Sequence, residues 1–121
     1  MSYEAALVAA LSPLVGGRVY PDEAATQQDG AYILWQQVGG EAVNALDGAL
    51  PGLRHARVQV DCWSGTRKAS SDLARAAEAA LLAAYPAALP QPPYVYGAFV
   101  SRYERDLRLY GTTQDFGIWY E

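Results

Sequence analysis

Arg57-Val58-Gln59-Val60-Asp61-Cys62-Trp63 is the stretch on which the fold turns. Successive side chains of a β-strand point to opposite faces of the sheet. Ala56, Val58, Val60 and Cys62 therefore predict a core-facing row. Arg57, Gln59, Asp61 and Trp63 predict the opposite row, within a strand spanning Leu53 to Ser64. Beyond Gly65 the hydrophobic period changes from two to that of a helix. Thr66 is placed to cap a helix reaching to about Tyr85, with Ser70, Leu73, Ala77, Ala80, Leu81 and Ala84 along one side. An alanine-rich face lets such a helix lie close on a sheet. Pro86 stops it, and Pro90, Pro92 and Pro93 make a stiff extended connector.

Two more strands are expected, over Tyr94 to Tyr103 and Leu109 to Tyr120, with the polar residues Arg102 to Arg108 turning between them. In the last strand Phe116, Ile118 and Tyr120 share one face; Asp115, Gly117 and Trp119 share the other. Upstream, Ala31 to Val38 reads as a strand bounded by Gly30 and Gly39-Gly40. A long connection over residues 39–52, holding Asp47-Gly48 and Pro51-Gly52, has room for a β-hairpin arm. Asp22 to Gly30 is a polar loop, and Arg18 to Pro21 a short extended piece. The chain opens with a helix that Ser2 caps. Tyr3, Leu7, Ala10, Leu11 and Leu14 form its apolar stripe, Ser12-Pro13 bends it, and Gly16-Gly17 ends it. The order α, β, β, α, β, β predicts one α+β domain over residues 1–121, a mainly antiparallel four-stranded sheet with two helices packed on one face. A parallel βαβ unit fits less well, because the crossover helix is followed by two adjacent strands.

Of the 121 residues 51 % are hydrophobic and 18 % charged, which suits one folded core and argues against disorder. The net charge of −4 argues against a free-standing nucleic-acid binder. One cysteine, Cys62, admits no internal disulfide and suggests a reducing compartment. No run reaches the length of a membrane span, and the first residues lack a basic signal-peptide region, so synthesis and retention in a cytoplasm are expected. Charge is uneven along the chain. Residues 1–53 carry Arg18 against six acids, whereas residues 54–108 carry eight of the nine bases against five acids. Ordinary solvated surface explains this; so does an acidic edge of one subunit facing a basic edge of the next.

Chemistry has little to work with. His55, the single histidine, is expected on the surface, and Cys62 in the core as a small hydrophobe. Seven residues apart on one strand, they would lie on opposite faces and roughly 20 Å apart, which disfavours a dyad. One Cys and one His build none of the usual zinc sets, the carboxylates lack EF-hand spacing, and neither Gly-Gly pair has the residues of a phosphate loop. No enzyme activity, cofactor or metal is expected. The oddity is Trp63 and Trp119, on strand faces opposite the core rows. Rings there need a second cover, from the same chain or from another protein. Trp63, Trp119, Asp61, Arg57, Arg67 and Asp115 are the candidate residues of a subunit or partner interface.

Three stretches in order, Val15-Gly-Gly-Arg-Val-Tyr-Pro21, Arg57 to Trp63 before the alanine-rich helix, and Asp115-Phe-Gly-Ile-Trp-Tyr120, carry a resemblance. The chain resembles the tail-completion or tail-terminator family of non-contractile-tailed phages and prophages. The resemblance implies a structural virion protein with no catalytic residues, assembled in the host bacterial cytoplasm. It implies a homo-oligomeric ring, typically a hexamer, at the head-proximal end of the tail tube. Such a ring stops tube growth and joins the tail to the head connector or stopper protein, with DNA only passing through the lumen. Two alternatives stay open: a head-closure or stopper protein of the same particle's neck, and a small α+β ligand-binding module.

Overall fold

The computed structural model describes residues 2–23, 30–42 and 52–121. Helix α1 spans Tyr3–Leu11, and a 3-10 turn over Ser12–Leu14 follows it. Then come β1 (Val19–Pro21), β2 (Tyr32–Gln37), β3 (Arg54–Ser64), helix α2 (Arg67–Ala83), β4 (Tyr94–Val95), β5 (Val100–Glu104) and β6 (Leu109–Tyr120). The helix ends follow from local chemistry. The Ser2 hydroxyl accepts from the Ala5 N–H at 3.1 Å, and Thr66 Oγ1 accepts from the Ala69 N–H at 3.1 Å. Each hydroxyl satisfies one of the orphan donors of a first helical turn. Pro13 sits in the first turn of the 3-10 segment, where its missing N–H costs nothing.

The sheet corrects the expected architecture. Among the described residues it has six strands, not four, in the order β1-β2-β3-β6-β4, with β5 also paired to β6. It is mixed: β1 runs parallel to β2, with Val19 opposite Ile33 and Pro21 opposite Trp35. The element order therefore departs from αββαββ. Two physical reasons account for the difference. A three-residue strand is too short for periodicity to show, and a parallel partner needs the chain to travel back only about 10 Å. The stretch Tyr94–Tyr103 is two strands because its register breaks. Tyr94 and Val95 pair with Gly117 and Phe116, but Val100 pairs with Thr113. Four residues, 96–99, thus face two, Gln114 and Asp115, a bulge with a two-residue excess. Gln114 holds it, its amide donating to the Gly97 carbonyl and to Glu78 Oε1, both at 2.8 Å.

The central pair β3·β6 is antiparallel along its whole length, from Arg54 opposite Tyr120 to Ser64 opposite Tyr110. Ala56, Val58, Val60, Cys62, Phe116 and Ile118 are buried on the face that both helices cover. Helix α1 contributes Leu7 and Leu11, and α2 contributes Leu73, Ala77 and Leu81. Fully burying each of these leucines stabilises by roughly 1.5–3 kcal/mol. Pairing continues past β2: the Val38 N–H donates to the Arg57 carbonyl, and the Arg57 N–H to the Gly39 carbonyl, both at 2.8 Å. The expected hairpin arm in 39–52 lies mostly outside the described residues.

Candidate functional site

The second face of the sheet is not bare. Along β3 and β6 it carries, in order, Trp119 beside His55, Arg57 beside Asp115, Asp61 beside Arg102, and Trp63 beside Gly111. The rings of His55 and Trp119 lie 4.5 Å apart between centroids. Arg57 Nε donates to Asp115 at 2.9 Å, and its guanidinium sits 4.1 Å over the Tyr96 ring. Arg102 reaches Asp61 at 3.3 Å and lies 5.3 Å from the Trp63 ring.

Glycines make the seats for these rings. A Cβ on Gly111 would sit 2.6 Å from two atoms of the Trp63 ring. One on Gly117 would meet His55 Nε2 at 2.7 Å and the Tyr96 ring at 3.2 Å. Without a Cβ at either position the strand surface is flat, and rings from neighbouring strands lie across it. The signal is legible in the alternation of Gly111 and Gly117 with Thr113, Asp115 and Trp119 on one face of β6.

The six expected interface residues do not form one open patch. Trp63 is buried, and its own chain covers it through β5 and Gly111; its indole N–H has no partner among the described residues. Trp119 is half-buried against His55. Arg57, Asp115 and Asp61 lie on the same face, engaged in ion pairs within the chain. Arg67 stands apart in the first turn of α2, over the Tyr110 ring at 5.4 Å. His55 departs from the sequence-based expectation. It is 8 % exposed, not a surface residue, and its Nδ1 accepts from the Glu41 N–H at 3.0 Å. Cys62 is buried as expected, and burial pushes its thiol up to about 12, so it is a poor nucleophile.

The sequence placed the turn before β6 and both bounds of the strand, but did not single out its two ends as candidate contact surfaces. At the start of the strand, Arg105, Asp106, Leu107 and Arg108 form the hairpin turn. Leu107 is 58 % exposed, and Tyr103 and Val100 on the adjoining edge are also exposed. Arg67 and Lys68 open α2 nearby, because β3 ends beside the start of β6. At the other end, Tyr120 packs on Tyr3 with ring centroids 4.7 Å apart. Tyr3 donates its hydroxyl hydrogen bond to Gln37 Oε1, and burial, with Glu4 and Tyr120 nearby, pushes that hydroxyl up to about 12. Tyr3, Leu89, Pro90, Tyr120 and Glu121 line an open cleft of about 310 Å³ there. Glu4 and Glu121 are exposed beside it, and Glu41 lies at the same end through His55. At this end Glu4, Glu41 and Glu121 outnumber Arg54, whereas at the start of β6 Arg67, Lys68, Arg105 and Arg108 outnumber Glu104 and Asp106.

Among the described residues, no cluster of three His, Cys, Asp or Glu side chains is arranged to hold a metal ion. No helix among the described residues is long and apolar enough to cross a membrane. The family Tail completion protein gp17 matches residues 5–121, and the chain belongs to that family of phage tail completion proteins. A structural role in the phage tail, as a component of the virion, follows from that membership. No curated protein sequence matches the chain.

Proposed function

We propose that the chain is a tail-terminator subunit, several copies of which close into a ring on the head-proximal end of the tail tube. The ring stops tube growth and presents the surface that the head connector or stopper protein joins. The observation that carries this reading is the family match over nearly the whole chain. Two physical features support it. A ring built by one repeated contact needs two different, complementary patches on each subunit, and the two ends of β6 differ in charge and in shape. An acidic subunit, at −4, would also let DNA pass without holding it, because phosphate affinity comes from Lys and Arg neutralisation. The test is a mass measurement by light scattering with and without preformed tail-tube rings, followed by electron microscopy of capped tubes. A species of fixed ring size, or a cap on one tube end, is the expected outcome. A protein that stays monomeric in both conditions, and leaves tube length unchanged, sinks the reading.

A further inference from the structure

We infer that the repeated contact between copies is a knob and a socket at opposite ends of one strand: the Leu107 hairpin tip of one subunit enters the Tyr3–Tyr120 cleft of the next. The inference rests on the ring reading and specifies its contact. Strand β6 has 12 residues, so its ends lie roughly 36 Å apart. The tip immediately precedes its first residue, Leu109; the cleft is built around its last, Tyr120. Leu107 is an exposed leucine at the apex of a turn. The turn is held out by the β5·β6 ladder and by Arg108, which takes a φ of 53°. The cleft has Tyr3 and Leu89, both buried, as its floor and the more open Tyr120, Ala88 and Pro90 as its walls, and its volume of about 310 Å³ has room for one aliphatic side chain.

Charge aligns the two parts. Around Leu107 the turn carries Arg105 and Arg108 as bases and Asp106 as an acid, and Glu104 at its base accepts from the Asp106 N–H at 3.2 Å. Glu121 is on the cleft rim, and Glu4 is next in the chain to Tyr3. The ion pairs among the described residues are Arg57–Asp115, Lys68–Asp72, Arg75–Asp72 and Arg102–Asp61. None of these pairs engages Arg105, Arg108, Glu4 or Glu121; among the described residues Arg54, opposite Tyr120, is the one base set beside the acids at the cleft end. A knob that fits a pocket elsewhere on the same molecule makes a head-to-tail contact. Such a contact closes into a ring when its rotation closes and gives filaments when it does not.

The test uses the full chain in two variants, Leu107→Cys and Glu121→Cys, mixed and oxidised. Native Cys62 is buried and inert to mild oxidation. A covalent dimer linked 107–121 in the mixture, and in neither variant alone, is the expected result. A second pair avoids the oxidation step. Leu107→Asp disables the knob and Glu4→Arg/Glu121→Arg disables the socket. Each alone should be monomeric, and an equimolar mixture should give a dimer and nothing larger, because one working knob and one working socket remain. Wild-type assembly that survives Leu107→Asp unchanged overturns the contact and leaves the ring reading standing. A Leu107→Asp ring of normal mass that no longer caps tube ends assigns the tip to the tube instead, and also overturns it. Failure of the wild-type chain to assemble with or without tubes sinks the ring reading itself.

Discussion

Replacing Gly111 by Ala tests the seat of Trp63 on the second sheet face, because two principles predict opposite signs. The position is an ordinary strand position in backbone conformation. By the general rule Ala in place of Gly within a strand stabilises by roughly 0.5–1 kcal/mol, since less backbone freedom is lost on folding. The local geometry says otherwise. The new Cβ would lie 2.6 Å from Cε3 and Cζ3 of Trp63 and 3.0 Å from Cδ2. These are atoms of a rigid ring that is 8 % exposed and has Arg102 beside it, so the ring must tilt as a unit and lose its packing. Overpacking of this kind costs about 1–3 kcal/mol. The expected net effect is a loss of about 1 kcal/mol, a fall in melting temperature of about 3–5 °C for a chain of this size. Urea unfolding, followed by tryptophan fluorescence, measures it. The control is the same substitution in a Trp63→Leu background, where the clash is gone and Gly111→Ala should be neutral or mildly stabilising. The coupling between the two sites should be about 2 kcal/mol. A stabilising Gly111→Ala in the wild-type background, or the same cost in both backgrounds, refutes the seat.

Three further outcomes are expected. Gln114→Leu removes the donor to the Gly97 carbonyl and to Glu78, and should cost about 1–3 kcal/mol, with faster amide exchange confined to residues 96–99. Thr66→Ala removes the cap that accepts from the Ala69 N–H and should cost about 1 kcal/mol, seen as a lower urea midpoint at unchanged slope. The third is a pH dependence. The Cys62 thiol is raised from 9.0 to about 12 by burial, and the Tyr3 hydroxyl from 10.0 to about 12 by burial, with Glu4 and Tyr120 adding. Both folded-state values exceed the unfolded ones, so the folded chain holds these protons more tightly. Their contribution to stability is complete below about pH 9 and is lost as pH rises toward 12. Cys62→Ala should therefore flatten the alkaline fall in stability measured by urea unfolding at pH 8 to about 11. An equally steep fall in the variant shows that the thiol is not its source.

The central pair was legible because period two runs unbroken over Ala56–Cys62, and the residues it assigned inward are the ones found buried. The helices were legible from Ser2, Thr66 and the apolar spacing. Other features were hidden for physical reasons. Val19-Tyr20-Pro21 is a strand only because Ile33 to Trp35 lies beside it, a long-range condition that three residues do not advertise. The break at 96–99 depends on the registers of two strands against a third, not on any residue in the break. His55 reads as exposed because it lies on the polar row of β3 between two arginines. It is buried because Gly117 leaves space for its ring and Trp119 covers it. For Trp63 and Trp119, alternation identified the face and left open what covers it. Asp61 and Asp115 find their cations within the chain, which linear charge counting does not reveal.

That internal pairing bears on where a partner can bind. A surface whose charges are already matched gains little from a new ionic contact, because each existing pair must be broken or desolvated first. The middle of the second face is such a surface: Arg57 has Asp115 and Tyr96, and Arg102 has Asp61 and Trp63. The ends of β6 are the reverse. There Arg105, Arg108, Glu4 and Glu121 are in none of the ion pairs among the described residues, Leu107 is exposed, and the cleft beside Tyr120 is open. An assembly contact between copies is therefore favoured where both deficits can be met at once. Two charge reversals should differ accordingly. Arg57→Glu should act mainly on folding stability, by setting a like charge beside Asp115. Arg108→Glu should leave the urea midpoint nearly unchanged and act on association alone. Equal effects of the two on assembly, at matched stability, would return the contact to the sheet face.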